Sequence, residues 1–237
     1  MIRKAMVLAA GYGSRMRPLT DHTPKPLLKV GNRCLIDYSL QMLSRAGIKE
    51  VCINLHYLPD LIEAYVGRGQ RYGLDVHFFR EPEILGTGGA IRNASDFFGN
   101  DDFIVVNADV ITDLDLSAVA DYHLTRGGLA TMVVLSTPSL PDRNEIAVSS
   151  EQRVLSVLGV PRLPHAKTTR IYTGIQYLTR RVFEYLPEGS SSIIESFYQP
   201  ALLAGESINA YLFDGYWVDS GSPESYNQLL SSPPPVS

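Results

Sequence analysis

The sequence predicts an α/β protein in which a mostly parallel sheet has helices on both faces and is followed by a smaller β-rich lobe. Three observations predict it. Strand-length apolar runs alternate with helical patterns as far as about residue 135, as in strands joined by crossover helices. Beyond that point, short β-like segments are separated by prolines. The length of 237 residues and the hydrophobic fraction of 45% are those of a compact domain, and they exclude a disordered or fibrous chain.

The first half of the chain alternates between two periodicities. The strands are predicted from short apolar runs, of which 103–106 is dense enough in apolar residues to be covered on both faces. The helices are predicted from apolar residues at helical spacing, such as Leu35, Ile36, Leu40 and Leu43. The predicted strands are 4–9, 50–55, 74–79, 103–106 and 129–135, and the predicted helices are 35–46, 57–66, 88–98 and 116–124. Parallel strands connected in this way present ligand sites beyond their carboxyl ends.

The second half of the chain predicts the β-rich lobe and then returns to helices. The β-like segments cover 145–149, 154–158 and 171–178, and a strand over 208–212 lies between helices over 193–203 and 224–230. We therefore predict one domain over residues 1–230. Residues 231–237 are Ser and Pro apart from Val236, a composition that predicts a disordered tail.

The charge and the composition of the chain limit the classes of partner that it is expected to bind. The chain has 21 Lys and Arg against 25 Asp and Glu, a net charge of -4, which is not the balance of a nucleic-acid-binding protein. No apolar run approaches the roughly 18 residues of a membrane span. The apolar stretch near the N-terminus is too short for a signal peptide. We therefore expect a cytoplasmic protein with free thiols at Cys34 and Cys52 and no nucleic-acid or membrane partner; assembly into a homo-oligomer is left open.

The loop after the first strand, residues 8–20, is the most informative segment, and we call it the glycine loop. It contains Gly11, Gly13, Arg15 and Arg17. Glycines directly after a buried strand let backbone N–H groups approach an anion closely, and a phosphate suits such a loop. The spacing has neither the third glycine of a dinucleotide-binding loop nor the Gly-Lys-Ser/Thr ending of a P-loop. The glycine loop therefore predicts a phosphate site of a different kind.

A third cation follows the glycine loop at Lys25, between Pro24 and Pro26. The two prolines restrict the backbone and so hold the lysine side chain in one direction. A single basic residue on a surface is normally just solvated. Three cations beside a glycine turn instead indicate a site for a polyanion.

Five blocks of sequence stand out along the chain. The first is Gly-x-Gly-Ser-Arg-Met-x-Pro-Leu-Thr-x-x-x-Pro-Lys-Pro over 11–26. The others are Leu-Gly-Thr-Gly-Gly-Ala at 85–90, Asn-Ala-Asp at 107–109, Tyr-Thr-Gly-Ile at 172–175 and Trp-Val-Asp-Ser-Gly-Ser-Pro at 217–223. In this order, the five blocks resemble those of the sugar-1-phosphate nucleotidylyltransferases. The resemblance implies the Rossmann-like fold of nucleotide-diphospho-sugar transferases with a sugar-binding β-rich lobe. It also implies transfer of a nucleotidyl group from a nucleoside triphosphate to a sugar-1-phosphate, with release of pyrophosphate.

The resemblance implies roles for the residues of the first block. Gly11 and Gly13 would cradle the triphosphate, Arg15 would stabilise the transferring phosphate and the leaving pyrophosphate, and Lys25 would neutralise charge at the reacting centre. For Arg17, the sequence leaves both a functional and a structural role open. Further nucleotide-binding candidates in the same segment are Leu8, Ala10 and Ser14.

Two aspartates are implied to bind a magnesium ion. Asp109 follows the predicted strand 103–106, and Asp219 follows Trp217 in another extended segment. Carboxylates that act together with substrate phosphates are the usual protein ligands of Mg²⁺. The resemblance assigns this role to both aspartates, with Asp109 also catalytic and Asp219 also in contact with substrate.

The base and ribose are implied to meet a second group of nucleotide-binding residues. A glutamate at position 81 offers only acceptors, which suits the N1–H and amino group of guanine, whereas uracil and thymine need both a donor and an acceptor. This favours GTP, although some uridylyl-transferring relatives have a glutamate there as well. The group comprises Glu81, Gly86, Thr87, Gly88 and Asn107.

The sugar side is where the chain departs from the family pattern. Many relatives have a Glu-Lys-Pro triplet whose lysine holds the sugar phosphate, and residues 158–164 lack a Glu-Lys pair. Arg162 and Lys167 are candidates to replace that lysine. The resemblance implies sugar contacts from Thr173 and Gly174. Glu145 is a further substrate-binding candidate, and Glu195 is open between a charge in the first turn of a helix and a sugar contact.

The sequence leaves the substrates open. GTP with mannose-1-phosphate is favoured, and UTP or dTTP with glucose-1-phosphate or N-acetylmuramate-1-phosphate is the alternative. An inactive nucleotide-binding regulatory homologue of the same fold is a second alternative. A dinucleotide-binding protein is disfavoured by the glycine spacing.

Overall fold

A computed structural model of the protein describes residues 2–138, 145–163, 168–232 and 234. Lys167, one of the two candidates for the sugar-phosphate cation, lies outside the described residues. The same holds for positions 233 and 235–237 of the predicted disordered tail.

The predicted strands and helices occur along the chain in the predicted order. The strands are β1 Lys4–Leu8, β2 Lys29–Val30, β3 Arg33–Cys34, β4 Glu50–Leu55, β5 Asp75–Arg80, β6 Phe103–Asn107, β7 Val110–Thr112, β8 Ala130–Pro138, β9 Glu145–Val148, β10 Val154–Val157, β11 Thr169–Leu178, β12 Ile208–Phe213 and β13 Trp217–Asp219. The α-helices are α1 Leu35–Arg45, α2 Pro59–Val66, α3 Gly86–Asn93, α4 Ser95–Phe98, α5 Leu116–Arg126, α6 Gln199–Leu203 and α7 Pro223–Ser231. Short 3₁₀ turns cover Ser14–Met16, Lys25–Leu27, Gln70–Tyr72 and Arg180–Glu184.

Two of the predicted helices are less regular than their apolar spacing indicates. The helix predicted over 88–98 is divided at Ala94 into α3 and α4. The helix predicted over 193–203 begins as a π-helical turn, Ile194–Tyr198, before α6. Pro200 lacks the N–H that an uninterrupted α-helix would need there, which explains why regular α-helical pairing does not run through this segment.

By their contacts, the described residues divide into two compact units. The first unit comprises Arg3–Ile84, Val106–Leu116 and Gly215–Ser237. The second unit comprises Met1–Ile2, Leu85–Val105 and Ser117–Asp214. The single domain over 1–230 stays a prediction.

The first unit is built on parallel strands. β4 lies between β1 and β5 and is parallel to both, with Asn54 aligned with Leu8 on one side and Phe79 on the other. On the far side of β1, the Ala108 N–H just after β6 donates to the Leu8 carbonyl at 3.1 Å. The carboxyl ends of these strands therefore meet at one edge, and the residues that follow β1, β4, β5 and β6 are neighbours there.

The second unit contains the β-rich segments that the sequence predicts. β8 pairs in parallel with β12 and antiparallel with β11, β11 pairs antiparallel with β9, and β9 with β10. Its core includes Phe98 stacked on Phe103, with ring centroids 3.7 Å apart, and Phe183 beside both. Parallel strands joined by helices, with additional antiparallel strands, confirm the predicted α/β class.

Candidate active site

A cavity of about 300 Å³ opens in the first unit beyond the carboxyl ends of β1 and β6. Ligands of parallel sheets bind in this position, beyond the carboxyl ends of the strands. It brings together residues that are far apart in the sequence. The lining residues are Leu8, Ala9, Gly11, Gly13, Ser14, Arg15, Met16, Lys25, Pro26, Asn107, Ala108, Asp109 and Gly221.

The glycine loop turns sharply at Gly13, whose φ of 64° lies in the left-handed region. A Cβ atom here would come within 3.0 Å of Thr20 Cγ2 and 3.2 Å of Lys25 Cβ. Only glycine therefore satisfies both the backbone conformation and the close packing. Around Gly11, by contrast, a Cβ atom would meet nothing within 4 Å. Gly11 is not required by packing, and its backbone is exposed at the cavity.

Thr20 anchors the far end of the glycine loop. Its hydroxyl donates to the Gly13 carbonyl at 2.8 Å, and its own carbonyl accepts from the Tyr57 hydroxyl at 2.8 Å. Thr20 is fully buried. The Thr20 side chain therefore ties the end of the glycine loop to Gly13. This role was not predicted from the sequence, where Thr20 was only one residue of the first matched block.

Lys25 and Asp109 form an ion pair at the cavity wall, in which the lysine Nζ donates to Asp109 Oδ2. The lysine is the first residue of the 3₁₀ turn Lys25–Leu27, which follows Pro24. The two side chains are only 12% and 23% exposed. An ion pair that is largely shielded from water is screened less by salt than a surface pair.

Asp219 is held near Asp109 by a short antiparallel pairing. β13 runs against β7, so that Asp219 is aligned with Val110. The backbone N–H and the hydroxyl of Ser220 both donate to the Asp109 carbonyl, at 3.3 and 3.1 Å. Two aspartates that are 110 positions apart in the sequence are thus fixed beside each other.

The electrostatic environment of Asp219 reflects this crowding. Surrounding atoms partly shield the carboxyl group of the exposed residue Asp219 from water, which raises the pKa of Asp219, and repulsion from the Asp109 carboxylate raises it further. Lys25, the Gly221 N–H and Arg15 act in the opposite direction. The site therefore combines two carboxylates that repel each other with two cations.

Gly221 is a site residue that sequence reasoning did not single out. A Cβ atom at this position would lie 2.8 Å from Asp219 Oδ1 and 3.3 Å from the outer guanidinium nitrogen Nη2 of Arg15. The absence of a side chain lets the Asp219 carboxylate and the Arg15 guanidinium approach the backbone. Gly221 lies within the last matched block, which was the available signal.

Arg15 and Arg17 differ clearly in their surroundings. Arg15 lines the cavity. Arg17 does not, and its 60% exposed side chain forms a 3.4 Å ion pair with Asp21 at the surface. The structure thus places Arg17 in a surface ion pair, and the choice between a functional and a structural role stays a prediction.

The donor set at the cavity fits a magnesium ion better than a metal that needs a complete protein cage. Across the described parts of the chain, no cluster of three or more His, Cys, Asp or Glu side chains is placed to hold a metal. Mg²⁺ takes one or two carboxylates and completes its sphere with water and phosphate oxygens. Asp109 and Asp219 supply two carboxylates, and a nucleotide would supply the phosphates.

The remaining predicted nucleotide-binding residues of the first unit either line the cavity or are buried. Asn107 lines it, and its carbonyl accepts from the Ser39 hydroxyl of α1 at 3.1 Å. Ala10 is buried and is not part of the lining. Glu81 is also buried, and its carboxylate accepts from Asn54.

The glycines at 86–89 have a structural explanation within the second unit. A Cβ atom on Gly86 would lie 2.6 Å from the Ser191 carbonyl, and one on Gly88 would lie 2.7 Å from Ser191 Oγ. The Gly88 N–H donates to the Ser191 carbonyl at 2.9 Å, and Thr87 Oγ1 accepts from the Ile193 N–H at 3.0 Å. The glycines let the start of α3 pack directly on the segment 189–193, and their role in nucleotide binding stays a prediction.

The predicted sugar contacts also lie in the second unit. Thr173 is buried, and its hydroxyl donates to the Val133 carbonyl at 2.9 Å. Gly174 has a φ of 80° where the pairing of β11 with β8 shifts register. Glu145 begins β9 opposite Ile171.

Two open candidates on the sugar side are exposed. Arg162 is at the surface, and Glu195 is exposed in the first turn of the π-helical segment. For Glu195, this placement agrees with a charge in the first turn. The sugar-binding roles assigned to this and the preceding residues stay predictions.

Comparison with known protein families matches nearly the whole described chain to one family. The profile of the family described as "Nucleotidyl transferase" matches residues 4–232. No helix of the described chain is both long enough and apolar enough to cross a bilayer.

Curated relatives act on different nucleotides according to their names. A UTP–glucose-1-phosphate uridylyltransferase from Synechocystis is 29% identical over 96% of this chain. Mannose-1-phosphate guanylyltransferases from Mycobacterium tuberculosis and Yarrowia lipolytica are 32% and 31% identical over 94% of it. The chain spans 62% of the length of each of these relatives.

Solved structures share the fold over nearly the whole chain. A putative glucose-1-phosphate thymidylyltransferase from Bacillus anthracis superposes with a TM-score of 0.85 at 22% identity, covering 99% of this chain and 96% of its own. HddC from Yersinia pseudotuberculosis, also solved with GMP-PN, superposes with a TM-score of 0.80 at 24% identity, covering 97% and 99%.

Proposed function

The chain belongs to the nucleotidyl transferase family, and from that premise we propose that it transfers a nucleotidyl group from a nucleoside triphosphate to a sugar-1-phosphate and releases pyrophosphate. The preferred substrates in this proposal are GTP and mannose-1-phosphate. The names of the relatives support the reaction class, and they include both guanylyl and uridylyl transfer.

The observation that carries the proposal is the grouping of opposite charges in one cavity. Arg15 and Lys25 line it beside Asp109, with Asp219 in the adjacent strand. Nucleotidyl transfer develops negative charge on the transferring phosphate and on the leaving pyrophosphate. Fixed cations at such a position stabilise this charge without reorganising during the reaction.

The substrates supply the reacting groups themselves. An oxygen of the sugar phosphate attacks the α-phosphorus, a new P–O bond forms, and the bond to the bridging oxygen breaks as pyrophosphate leaves. The protein therefore needs to align the two substrates and to stabilise charge, and it needs no nucleophile of its own. The exposed backbone at Gly11, next to the Arg15 side chain, gives the triphosphate both N–H donors and a cation.

Asp109 and Asp219 would hold the magnesium ion in this proposal. When bound, Mg²⁺ neutralises phosphate charge and orients the triphosphate. Lys25 is paired with Asp109, so its ammonium group sits where it offsets the charge of the two carboxylates. The lysine thus positions Asp109 and also provides a cation for the phosphates.

The choice of GTP is supported by the acceptor character of Glu81. Glu81 is 4% exposed, and its carboxylate accepts a hydrogen bond from Asn54. An ionised carboxylate can only accept hydrogen bonds, which matches the two donors on the guanine edge.

A substrate grid tests the proposal. Pyrophosphate release is measured with each of four nucleoside triphosphates against mannose-1-phosphate, glucose-1-phosphate and N-acetylmuramate-1-phosphate, in Mg²⁺ and in EDTA. We expect turnover that is greatest with GTP and mannose-1-phosphate and is lost in EDTA. An absence of pyrophosphate with every pair would refute the enzymatic function, and GTP binding without turnover would indicate the inactive regulatory homologue instead.

A further inference from the structure

We infer that Asn54 is a positioning residue that orients the Glu81 carboxylate and thereby sets the preference for GTP over UTP. The inference rests on the proposed function, in which Glu81 reads the base. Asn54 itself is in neither the cavity lining nor any of the matched blocks.

The side chain of Asn54 bridges the ends of two strands. Its Oδ1 accepts from the Ala9 N–H at 3.0 Å, and its Nδ2 donates to Glu81 Oε1 at 2.8 Å. Ala9 is the first residue after β1, and Glu81 is the first after β5, so the middle strand β4 connects the glycine loop with the base-reading carboxylate. All three residues are 4% exposed.

The orientation of the Asn54 amide follows from its partners. The Ala9 N–H can only donate, so it requires the amide oxygen of Asn54. The amide nitrogen must then face Glu81, whose Oε1 acts as the acceptor. A reversed amide would place two donors against each other at Ala9, which is costly where water cannot intervene.

The main chain at Glu81 is held independently of Asn54. The Glu81 N–H donates to the Leu55 carbonyl at 2.7 Å, and the Glu81 carbonyl is 2.8 Å from His56 Nδ1. A substitution at Asn54 should therefore redirect the carboxylate without displacing the strand ends. This separates a positioning role from a general role in stability.

Burial makes the orientation matter for selectivity. A base edge that presents no donor to Glu81 forgoes a hydrogen bond to a carboxylate that is shielded from water, and such a mismatch is rejected strongly. A hydrogen bond to a charged group contributes about 1.5–3 kcal/mol, which corresponds to roughly 10- to 100-fold in an equilibrium constant. A misdirected carboxylate would lose much of this factor.

The first variant is Asn54→Asp, which keeps the shape of the side chain and the acceptor for Ala9. It replaces the donor to Glu81 by a second carboxylate oxygen, so that the two side chains repel each other. We expect the ratio of kcat/KM for GTP to that for UTP to fall by at least about tenfold, with a similar fall in the ratio of affinities. Asn32→Asp makes the same chemical change at an exposed position and serves as the control.

The second experiment exchanges the two groups. In the double variant Asn54→Asp with Glu81→Gln, the glutamine amide nitrogen can donate to the carboxylate introduced at position 54, and the glutamine oxygen takes the place of the remaining carboxylate oxygen. We expect the double variant to recover part of the GTP preference that Asn54→Asp alone loses. A general effect on folding would give no such rescue, and circular dichroism of every variant checks the fold.

Binding measurements keep this inference separate from the proposed reaction. Affinities for GTP and UTP are measured by calorimetry without sugar phosphate, so they do not depend on turnover. If the wild type binds GTP preferentially but turns nothing over, the proposed enzymatic function fails while the role of Asn54 is still tested. An unchanged GTP/UTP ratio in Asn54→Asp, equal binding of both nucleotides by the wild type, or no rescue in the double variant would each overturn the inference.

Discussion

Lys25 and Asp109 are 84 positions apart in the sequence, yet the lysine donates directly to the aspartate carboxylate at the wall of the cavity. The turn after Pro24 and the end of β6 have to meet for this pair to form. Removal of either partner would leave the other charge poorly compensated, because both side chains are mostly shielded from water.

Asp109→Asn tests the carboxylate that is central to the proposed metal site. The amide is nearly the same size, so we expect the fold to persist while Mg²⁺-dependent pyrophosphate release falls by at least about 100-fold. Asp121→Asn, an exposed substitution on α5, is the matched control and should leave activity unchanged. Activity near that of the wild type in Asp109→Asn would remove this residue from the reacting centre.

Arg15→Ala and Arg17→Ala compare a cavity cation with a surface cation two positions away. Loss of a preorganised charge at the reacting phosphate typically costs about 100- to 1000-fold in rate, and we expect this for Arg15. Arg17 pairs only with Asp21 at the surface in the described contacts, and its removal should change turnover by less than about twofold. Equal losses in the two variants would argue against a special role for Arg15.

Gly221→Ala adds one methyl group beside the site. That carbon would lie 2.8 Å from Asp219 Oδ1, so the carboxylate and the nearby Arg15 guanidinium have to shift. We expect turnover to fall while thermal unfolding changes little, since the displaced groups are ends of side chains. Tm and kcat are measured on the same preparation of the variant. A fall in Tm in proportion to the fall in kcat would contradict the interpretation.

Asp37→Ala tests the hydrogen-bond network around Asp37, a buried residue in the first turn of α1. Asp37 accepts hydrogen bonds from the Cys34 N–H, the hydroxyls of Tyr65 and Tyr72, and Arg71. Its removal leaves several donors without a partner and should lower the free energy of unfolding by about 3 kcal/mol, as measured by urea denaturation.

Asp60→Ala is the control for that substitution. Asp60 also pairs with an arginine, but its side chain is 83% exposed. An exposed pair of this kind contributes less than about 1 kcal/mol. Similar losses from the two aspartates would show that burial of the Asp37 network is not what makes it stabilising.

His123 makes the stability depend on pH. Burial lowers the pKa of His123, partly opposed by Asp102, and the ring stacks on Tyr177 while its Nδ1 lies 2.8 Å from Thr131 Oγ1. The unfolded chain, with an ordinary histidine pKa near 6.5, therefore takes up a proton that the folded protein resists. The contribution is present above about pH 6.5 and is lost as the pH falls towards the lower folded pKa, by at most about 1.4 kcal/mol per pH unit.

Urea denaturation between pH 5 and pH 8 measures this dependence. His123→Gln, which removes the buried titrating group, should flatten the acid side of the curve. A curve of the same slope in His123→Gln would show that other groups cause the loss of stability in acid.

The short-range patterns specified the class of the fold. Apolar runs of strand length and helical spacings are local properties, and they located the longer strands and most helices to within a few residues, whereas the short strands β2, β3 and β7 were not predicted. Two predicted helices are also less regular than expected: one is divided at Ala94, and the other begins as a π-helical turn before α6, where Pro200 lacks the N–H of a regular α-helix. The matched blocks indicated the family because their order and spacing are also written directly in the sequence.

The folded chain establishes which residues meet and why particular ones are needed. Asp219 lies beside Asp109 because β13 pairs with β7, and no spacing in the sequence encodes that register. No local pattern predicts that Gly88 packs against Ser191. The hydrogen bonds that Asn54 makes at two strand ends are likewise not predicted by any local pattern. Propensity and periodicity act over a few residues, so the elements and the chemical types at the site could be predicted from the sequence. The contacts between distant side chains depend on how the strands align, and that alignment is a property of the whole fold.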